Sequence, residues 1–296
     1  MLLTDLTPVP VTHLARALDE RGFDSLWFGE HTHTPLASGY AEEFARGGMA
    51  RLCDPFVLLS AAAAVTTNLR LGTSICLAAE HEPLGLAHTV ATLDTISNGR
   101  VELGIGYGHS VPEMENRGLD VAHRRAILRE HILAMKELWT KDVAAFDGKY
   151  VRFTDSWAWP KPVQSPHPPI HLGIHGPKGA AHLAEFCDGW LPNLVALSED
   201  QFLELRSQIH GAAEAAGRDP SSISITVVVL PTSRSSGMMN PFWKPDAEEF
   251  RKYALTTADL EHYASLGVDR IVVSLDFADD ESVEPILDHL AGQFPA

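Results

Sequence analysis

The sequence predicts an α/β fold, a single (β/α)8 TIM barrel with insertions. Residues 69–108 hold an aliphatic run, an apolar pattern at helical spacing and a second aliphatic run. This order is typical of two parallel strands joined by a helix, because a hairpin connection would leave no room for the helix. The same alternation recurs along the 296 residues and gives seven clear strands and a short first one. That number favours a closed barrel over an open doubly wound sheet, which stays the alternative.

Each strand is predicted where aliphatic, β-branched or aromatic residues run together, and each helix where apolar residues recur at helical spacing. Gly22 and Gly99 end two helices, since glycine readily adopts the left-handed backbone found there. Pro55 and Pro177 begin two others, since proline suits a first helical turn. The strands are predicted at residues 1–6, 25–29, 69–77, 101–105, 170–174, 189–191, 223–230 and 270–275. The helices are predicted at residues 12–21, 55–67, 84–97, 121–139, 177–187, 198–216, 246–266 and 283–291.

Two segments interrupt this alternation. In residues 143–169, Asp147 and Gly148 separate two short apolar runs and predict a hairpin, and a Trp- and Pro-rich stretch follows. Residues 231–245 form a loop long enough to act as a lid. We interpret both as insertions in one domain that covers residues 1–296.

Composition excludes several classes of protein. The chain is 45% hydrophobic, enough for a full core, and its formal net charge of −16 argues against nucleic-acid or anionic-membrane binding. Its three cysteines lack the spacing of a zinc site or a disulfide framework. No apolar run has the length of a membrane span, and no signal peptide is recognised. We therefore expect a cytoplasmic protein whose partner is a small molecule.

The predicted strand ends carry the candidate site, because barrels place ligands at the carboxyl ends of their strands. Gly104, Gly106 and Gly108 let a ligand approach the backbone closely. The loop at residues 173–177 precedes a helix and is followed by Lys178, a pattern that suits an anion such as phosphate. His167, His171 and His175 recur every four residues, but the prolines between them forbid the helix that would align them on a metal. We expect no metal.

Several motifs together resemble the bacterial luciferase-like flavin and deazaflavin oxidoreductases. They are RGFDSLWFGEH at 21–31, LRLGTSI at 69–75, ATLDTISNGRVELGIGYG at 91–108, PHPPIHLGIHG at 166–176, DGWLP at 188–192 and GVDRIVV at 267–273. The stretch WPKPVQSPHPP at 159–169 is similar to the actinobacterial subgroup that uses coenzyme F420, a deazaflavin. The resemblance implies a barrel and a homodimer. The family's first strand is longer than the residues before Pro8 allow.

The resemblance also implies roles for residues. His31 matches a histidine that faces the cofactor ring and manages a proton, with Glu30 as its orienting partner and His33 as an alternative. Ser74-Ile75 matches a non-prolyl cis peptide behind the ring. His109 occupies a position where a sugar-phosphate dehydrogenase branch carries a catalytic carboxylate, a departure that counts against that substrate. The implied cofactor-binding residues are Ser74, Ile75, Gly106, Tyr107, Gly108, Gly173, His175, Gly176, Pro177 and Lys178.

The leading hypothesis is an F420-dependent oxidoreductase that transfers a hydride between the deazaflavin and a small organic substrate. The first alternative is a monooxygenase that uses reduced FMN and oxygen. The second is a non-catalytic protein that binds a flavin-like ligand. Because F420 is anionic and the chain is acidic, cations must lie near its tail, and Arg46, Arg51 and Lys178 are the candidates.

Overall fold

Eight parallel strands form one sheet and confirm the predicted (β/α)8 barrel. The computed structural model describes residues 1–3, 9–39, 49–232, 234, 245–277 and 279–293. Each strand of this sheet pairs with the next strand of the same sheet along the chain. They are β1 (Leu2–Leu3), β2 (Ser25–Phe28), β3 (Arg70–Thr73), β4 (Val101–Ile105), β7 (Ile170–Leu172), β8 (Gly189–Trp190), β9 (Ser224–Val229) and β10 (Arg270–Val273).

Helices connect the strands and pack their apolar faces onto the sheet. In the described part of the chain they are α1 (Val11–Glu20), α2 (Pro55–Ala63), α3 (Pro83–Ser97), α4 (Val111–Asn116), α5 (Arg124–Thr140), α6 (Ala180–Phe186), α7 (Glu199–Ala215), α8 (Ala247–Tyr253), α9 (Thr257–Ser265) and α10 (Val283–Ala291). Helix α3 ends as predicted at a left-handed backbone, which both Asn98 (φ 55°) and Gly99 (φ 79°) adopt. None of the helices in these ranges is long and apolar enough to cross a membrane.

Several predicted elements were wrong in extent; the helix predicted at 55–67, for example, ends at Ala63. The strand predicted at residues 69–77 ends at Thr73, because a cis peptide bends the chain at Ser74-Ile75. The helix predicted at 246–266 is two helices, since Leu255 donates its amide to the Pro231 carbonyl and Thr256 then caps α9. The helix predicted from Pro177 begins at Ala180, after one 3₁₀ turn.

The segment 143–169 contains the predicted hairpin, an antiparallel pair of β5 (Ala144–Asp147) and β6 (Arg152–Ser156). One carboxylate of helix α5, that of Glu130, anchors it by accepting the backbone amides of Lys149, Tyr150 and Val151 at 2.6–3.1 Å. The segment therefore lies against the barrel. The loop predicted at 231–245 falls mostly outside the described residues.

The interior of the barrel has a polar amino end and an apolar middle. At the amino end, the Glu102 carboxylate is 2.6 Å from His171 Nε2, 2.8 Å from an Arg70 nitrogen and 3.3 Å from an Arg270 nitrogen. Next along the axis, a small apolar cluster fills the barrel, made of Trp27, Leu191, Val228 and Val272 with Ile75 packed against it. We call this cluster the apolar plug. It separates the polar amino end from the strand ends that carry the candidate site.

Candidate active site

The turn after β3 brings the backbone of the site together. Ser74-Ile75 is a cis peptide, as predicted. Ile75 packs against the apolar plug on one side and lines a surface cavity on the other. A Cβ atom on Gly106 would lie 2.0 Å from Ile75 Cδ1, so a side chain there would displace the end of the Ile75 side chain. Gly106 therefore supports Ile75, and Ile75 forms a wall of the cavity.

His31 is held by a carboxylate from another part of the chain. Its Nδ1 lies 2.6 Å from Glu113 Oε2, and the Thr32 amide donates to Glu113 Oε1 at 3.1 Å. Burial acts to raise the pKa of Glu113, but the hydrogen bonds and positive charge from His31 outweigh it and lower that pKa. Glu113 is therefore ionised at neutral pH, and its negative charge faces His31.

Two further histidines lie close to this pair. The rings of His31 and His109 meet edge to face, with centroids 5.2 Å apart. Partial burial and the neighbouring His31 lower the pKa of His109, which favours its neutral form. His33 is held by Thr32 Oγ1 at 2.9 Å and by the Asn116 amide nitrogen at 3.0 Å. The three sequence-predicted histidines thus share one corner of the site.

Glu30 is not the partner of His31, which corrects the expected orienting role. Its Oε2 accepts the Leu77 amide at 2.7 Å, and its Oε1 lies 2.6 Å from His81 Nε2. Successive side chains along an extended backbone point to opposite sides, so Glu30 and His31 face different neighbours. Burial acts to raise the pKa of Glu30, but the bonds from His81 and Leu77 lower it overall. With Cys76, Glu30 and His81 bring three ligand-type atoms within 4.8 Å of one another, a group that hydrogen bonds already hold together.

A cavity of about 390 Å³ opens beside His109 and holds most of the predicted cofactor-binding residues. Its lining includes Ile75, Tyr107, Gly108, His109, Gly173, His175, Gly176, Pro177 and Lys178. Ser74 and Gly106 lie behind this wall. Ser74 precedes Ile75 across the cis peptide, and Gly106 lies against the Ile75 side chain. Tyr107 is half-buried, and its hydroxyl lies 2.9 Å from His182 Nδ1. Burial raises the Tyr107 pKa, so the phenol keeps its proton.

Two arginines that the sequence analysis missed supply cations to this cavity. Arg124 and Arg125 line it from the start of α5, and Arg125 lies over the Tyr107 ring at 5.2 Å. The Nε atoms of both arginines are buried, and neither Nε atom has a hydrogen-bond partner among the described residues. With Lys178 they make a cationic wall that suits a phosphate or carboxylate. Of the other proposed cations, Arg51 is exposed and is not part of the cavity lining, and Arg46 lies outside the described residues.

These features define a class of protein: a TIM barrel with a histidine–carboxylate pair beside a cationic cavity at the carboxyl ends of its strands. The chain belongs to the luciferase-like monooxygenase family, whose model matches residues 5–267. It is 38% identical over 235 residues, 76% of this chain and 81% of the relative, to an uncharacterised protein of Mycobacterium tuberculosis H37Rv.

A second relative has a named activity. The chain is 28% identical over 302 residues to the F420-dependent glucose-6-phosphate dehydrogenase of Amycolatopsis mediterranei, covering 96% of this chain and 85% of that one. Among solved structures, an F420-dependent secondary alcohol dehydrogenase bound to an F420-acetone adduct superimposes with a TM-score of 0.76. That match has 18% identity and covers 97% of this chain and 96% of the other, so it supports the barrel fold.

Proposed function

We propose that the protein is an F420-dependent oxidoreductase that transfers a hydride between the deazaflavin and a small organic substrate. One observation carries the proposal: His109 lines the cationic cavity and also contacts His31, which joins a proton-handling pair to an anion-binding wall. Hydride transfer to or from carbon needs both, because the cofactor must be held by its phosphate arm and the substrate must lose or gain a proton.

The residues present fit such a cofactor. Ile75 and Gly106 would support the flat ring, while Arg124, Arg125 and Lys178 would bind the phosphate-bearing arm. When bound, the deazaflavin would accept or donate the hydride. Because the helix that follows Lys178 starts only at Ala180, we assign the anion site to these cations and not to a helix dipole.

His31 manages the proton in this proposal. Its Nδ1 faces Glu113, which leaves Nε2 as the ring atom that can accept a proton from a substrate hydroxyl or donate one to a carbonyl. The ionised Glu113 stabilises the imidazolium that forms when the hydroxyl is oxidised. His109, kept neutral by its surroundings, can hydrogen-bond the same oxygen.

The charge of the site supports F420 over FMN. F420 carries a phosphate and glutamate carboxylates, while FMN carries only a phosphate. The chain has a formal net charge of −16, so a wall of three cations in its cavity is a local exception that a polyanionic cofactor would use. The relative from Amycolatopsis mediterranei is named as F420-dependent, which agrees with this proposal.

The test is a titration of purified protein with F420 and, separately, with FMN, followed by absorbance and fluorescence. We expect F420 to bind more tightly, and its affinity to fall as salt is added, since the arm is held by charge. Tighter binding of FMN would instead favour the alternative, a monooxygenase supplied with reduced flavin. Failure to bind either would favour a non-catalytic role.

We also propose that the protein is a homodimer. Val57 and Leu84, in the first turns of α2 and α3, are 67% and 37% exposed, and these two helices pack side by side. A second copy would cover this apolar surface. Sedimentation at micromolar concentration should give twice the 32.3 kDa chain mass, and a single-chain mass throughout would reject the dimer.

A further inference from the structure

Glu80 is a buried carboxyl group beside the site that the proposed reaction does not use. It ends the 3₁₀ turn Ala78–Glu80 after the cis peptide, and its side chain is 3% exposed. Its Oε2 accepts no hydrogen bond from the described residues, and the nearest cationic atom to it is Arg117 Nε at 3.5 Å. Its Oε1 lies 3.3 Å from the position that a Cβ atom on Gly108 would take. The carboxyl group therefore lies against the cavity loop, and hydrogen bonds and cations only partly compensate its burial.

The guanidinium group of Arg117 is directed mainly elsewhere. It donates two hydrogen bonds, at 2.6 and 3.2 Å, to the backbone carbonyl of Glu80 and not to its carboxylate. A bidentate pair with the carboxylate would have stabilised the ionised form strongly, and this geometry does not provide one. The position of Arg117 thus fixes the turn and compensates the acid only in part.

The charged groups around Glu80 come from α4 with its C-terminal cap and from the segment that follows β2. Glu113 on α4 and Glu30 at the end of β2 are acidic and oppose its ionisation, while Arg117 and His31 favour it. Burial, followed by the charge of Glu113, raises the pKa of Glu80 to about 7. The pKa of Glu113 is lowered instead. Two neighbouring carboxyl groups whose pKa values move apart are typical of acid–base sites, because one is kept protonated and the other ionised.

We propose that Glu80 is a further functional residue of this site, a buried acid whose ionisation controls how firmly the His31–Glu113 pair holds a proton. It contacts neither substrate nor reacting atoms, so it is a positioning residue. The proposal rests on the proposed role of His31, but its tests need neither cofactor nor substrate.

The direction of the control follows from charge. When Glu80 is protonated, His31 faces the single negative charge of Glu113. When Glu80 ionises, a second negative charge acts on the imidazolium, and His31 holds its proton to higher pH. We therefore expect the ionisation of Glu80 and the proton on His31 to depend on each other.

The first test follows the His31 ring by NMR across pH 5–9 in wild type and in Glu80→Gln, with the ring signal assigned by its loss in His31→Gln. Glutamine has the shape of the protonated acid but cannot ionise. In wild type we expect a broad titration with a step near neutral pH. In Glu80→Gln that step disappears and the ring releases its proton at lower pH. Identical curves in the two proteins would overturn the proposal.

A matched control is Glu82→Gln. Glu82 lies two residues further along the chain, is exposed and caps α3 by accepting the Leu84 and Gly85 amides. The Glu82→Gln substitution removes one negative charge close to Glu80 in the sequence and changes no residue of the site. We expect it to leave the His31 titration unchanged, so a shift equal to that of Glu80→Gln would mean a general charge effect and reject a specific role for Glu80.

The second test measures stability and does not depend on the NMR signal. Because the folded pKa of Glu80 lies above that of an unfolded glutamate, the folded protein binds an extra proton between about pH 4.5 and 7. The stability that this extra proton gives the folded state falls as pH rises through that window, and a glutamine at position 80 removes this contribution. The urea midpoint of Glu80→Gln should therefore rise relative to wild type between pH 5 and pH 8. A constant difference would contradict a buried, neutral-pH acid at this position.

These outcomes are separable from the proposed function. Failure of both tests with tight F420 binding would reject the role of Glu80 alone. Success of both tests without F420 or FMN binding would reject the proposed cofactor and leave the coupled acid in place.

Discussion

The barrel carries the same pair of side chains at its two ends, and the two pairs differ in what surrounds them. At the amino end His171 and Glu102 are 2.6 Å apart, and at the carboxyl end His31 and Glu113 are also 2.6 Å apart. Both side chains of the first pair are 3% exposed, and two arginines complete the neutralisation of Glu102. In the second pair His31 is 11% exposed and lies beside a cavity and another acid.

The difference teaches that a short histidine–carboxylate contact does not by itself mark a catalytic site. Burial acts to raise the pKa of Glu102, but His171, Arg270 and Arg70 lower it to about 2. Glu102 is therefore ionised across the physiological range, and we interpret this pair as one that serves stability. The other end has fewer cations per carboxyl group, and so its protonation can respond to a reaction.

The largest effect should follow from removing His31, the histidine at the carboxyl end. His31→Ala removes the group that accepts or delivers the proton. A general acid or base in this role contributes about 10²–10⁴-fold to the rate. Single-turnover rates should fall by that factor, while cofactor affinity by titration stays within several-fold, because Arg124, Arg125 and Lys178 hold the arm. If His33→Ala lowered the single-turnover rate to this extent and His31→Ala did not, the proton role would belong to His33.

The amino-end pair should respond in stability instead. Glu102→Gln leaves His171 and two arginines without their carboxylate, and breaking such a buried pair costs about 3 kcal/mol or more. Urea unfolding at pH 7 should show this loss, while the single-turnover rate per folded molecule is unchanged. A stable variant with a reduced rate would mean that this end takes part in catalysis.

The pH dependence sharpens the same contrast. The pKa of Glu102 is lowered from 4.5 to about 2, so its stabilising contribution is complete above about pH 4.5 and is lost as pH falls towards 2. The stability difference between wild type and Glu102→Gln should therefore shrink between pH 5 and pH 3. If it stays constant, the carboxylate is not ionised by its neighbours as described.

A smaller effect should follow at Glu113. Glu113→Gln keeps a hydrogen-bond partner for His31 and removes the negative charge that stabilises the imidazolium. A nearby opposite charge shifts a proton equilibrium by about one unit or more, so the single-turnover rate at neutral pH should fall about tenfold. A rate equal to wild type would show that the charge of Glu113 has no catalytic effect.

The smallest effect should follow at the exposed edge of the cavity. Lys178→Ala removes one of three cations, and a solvent-exposed charge contributes modestly, so F420 affinity should fall only several-fold. The loss should diminish as salt is added. Arg125→Gln changes a half-buried residue of the wall and should lower F420 affinity more. A larger loss in Lys178→Ala than in Arg125→Gln would place the anionic arm nearer Lys178.

The sequence predicted most of the barrel, because each strand and helix is encoded by a local run of residues. The resemblance to the luciferase-like oxidoreductases predicted the cis peptide at Ser74-Ile75, and the strand pattern placed His31 at a strand end. Local reasoning failed where the chain leaves its regular elements. The break between α8 and α9 depends on a contact between Leu255 and Pro231, which are far apart in sequence.

The partners of the site were harder to predict for the same reason. Glu113 and Glu80 lie 82 and 49 positions from His31, and no spacing rule relates them to it. A sequence signal existed for Arg124 and Arg125, a pair of adjacent arginines shortly after the glycine-rich strand end. It was uninformative without the knowledge that helix α5 begins at the cavity.

The apolar plug has a consequence for how the barrel can change. A Cβ atom on Gly72 would lie 2.1 Å from the Trp27 ring, so the backbone and the indole fit together with no space for a side chain. On one side of that ring lies Arg270, 5.9 Å from its centre, and Ile75 packs on the cluster from the other side. The plug insulates the two polar ends from each other, and substitutions at the two ends share no partner. Their energetic effects should therefore simply add, so that the reactive end can vary through evolution or engineering while the amino end keeps the barrel folded.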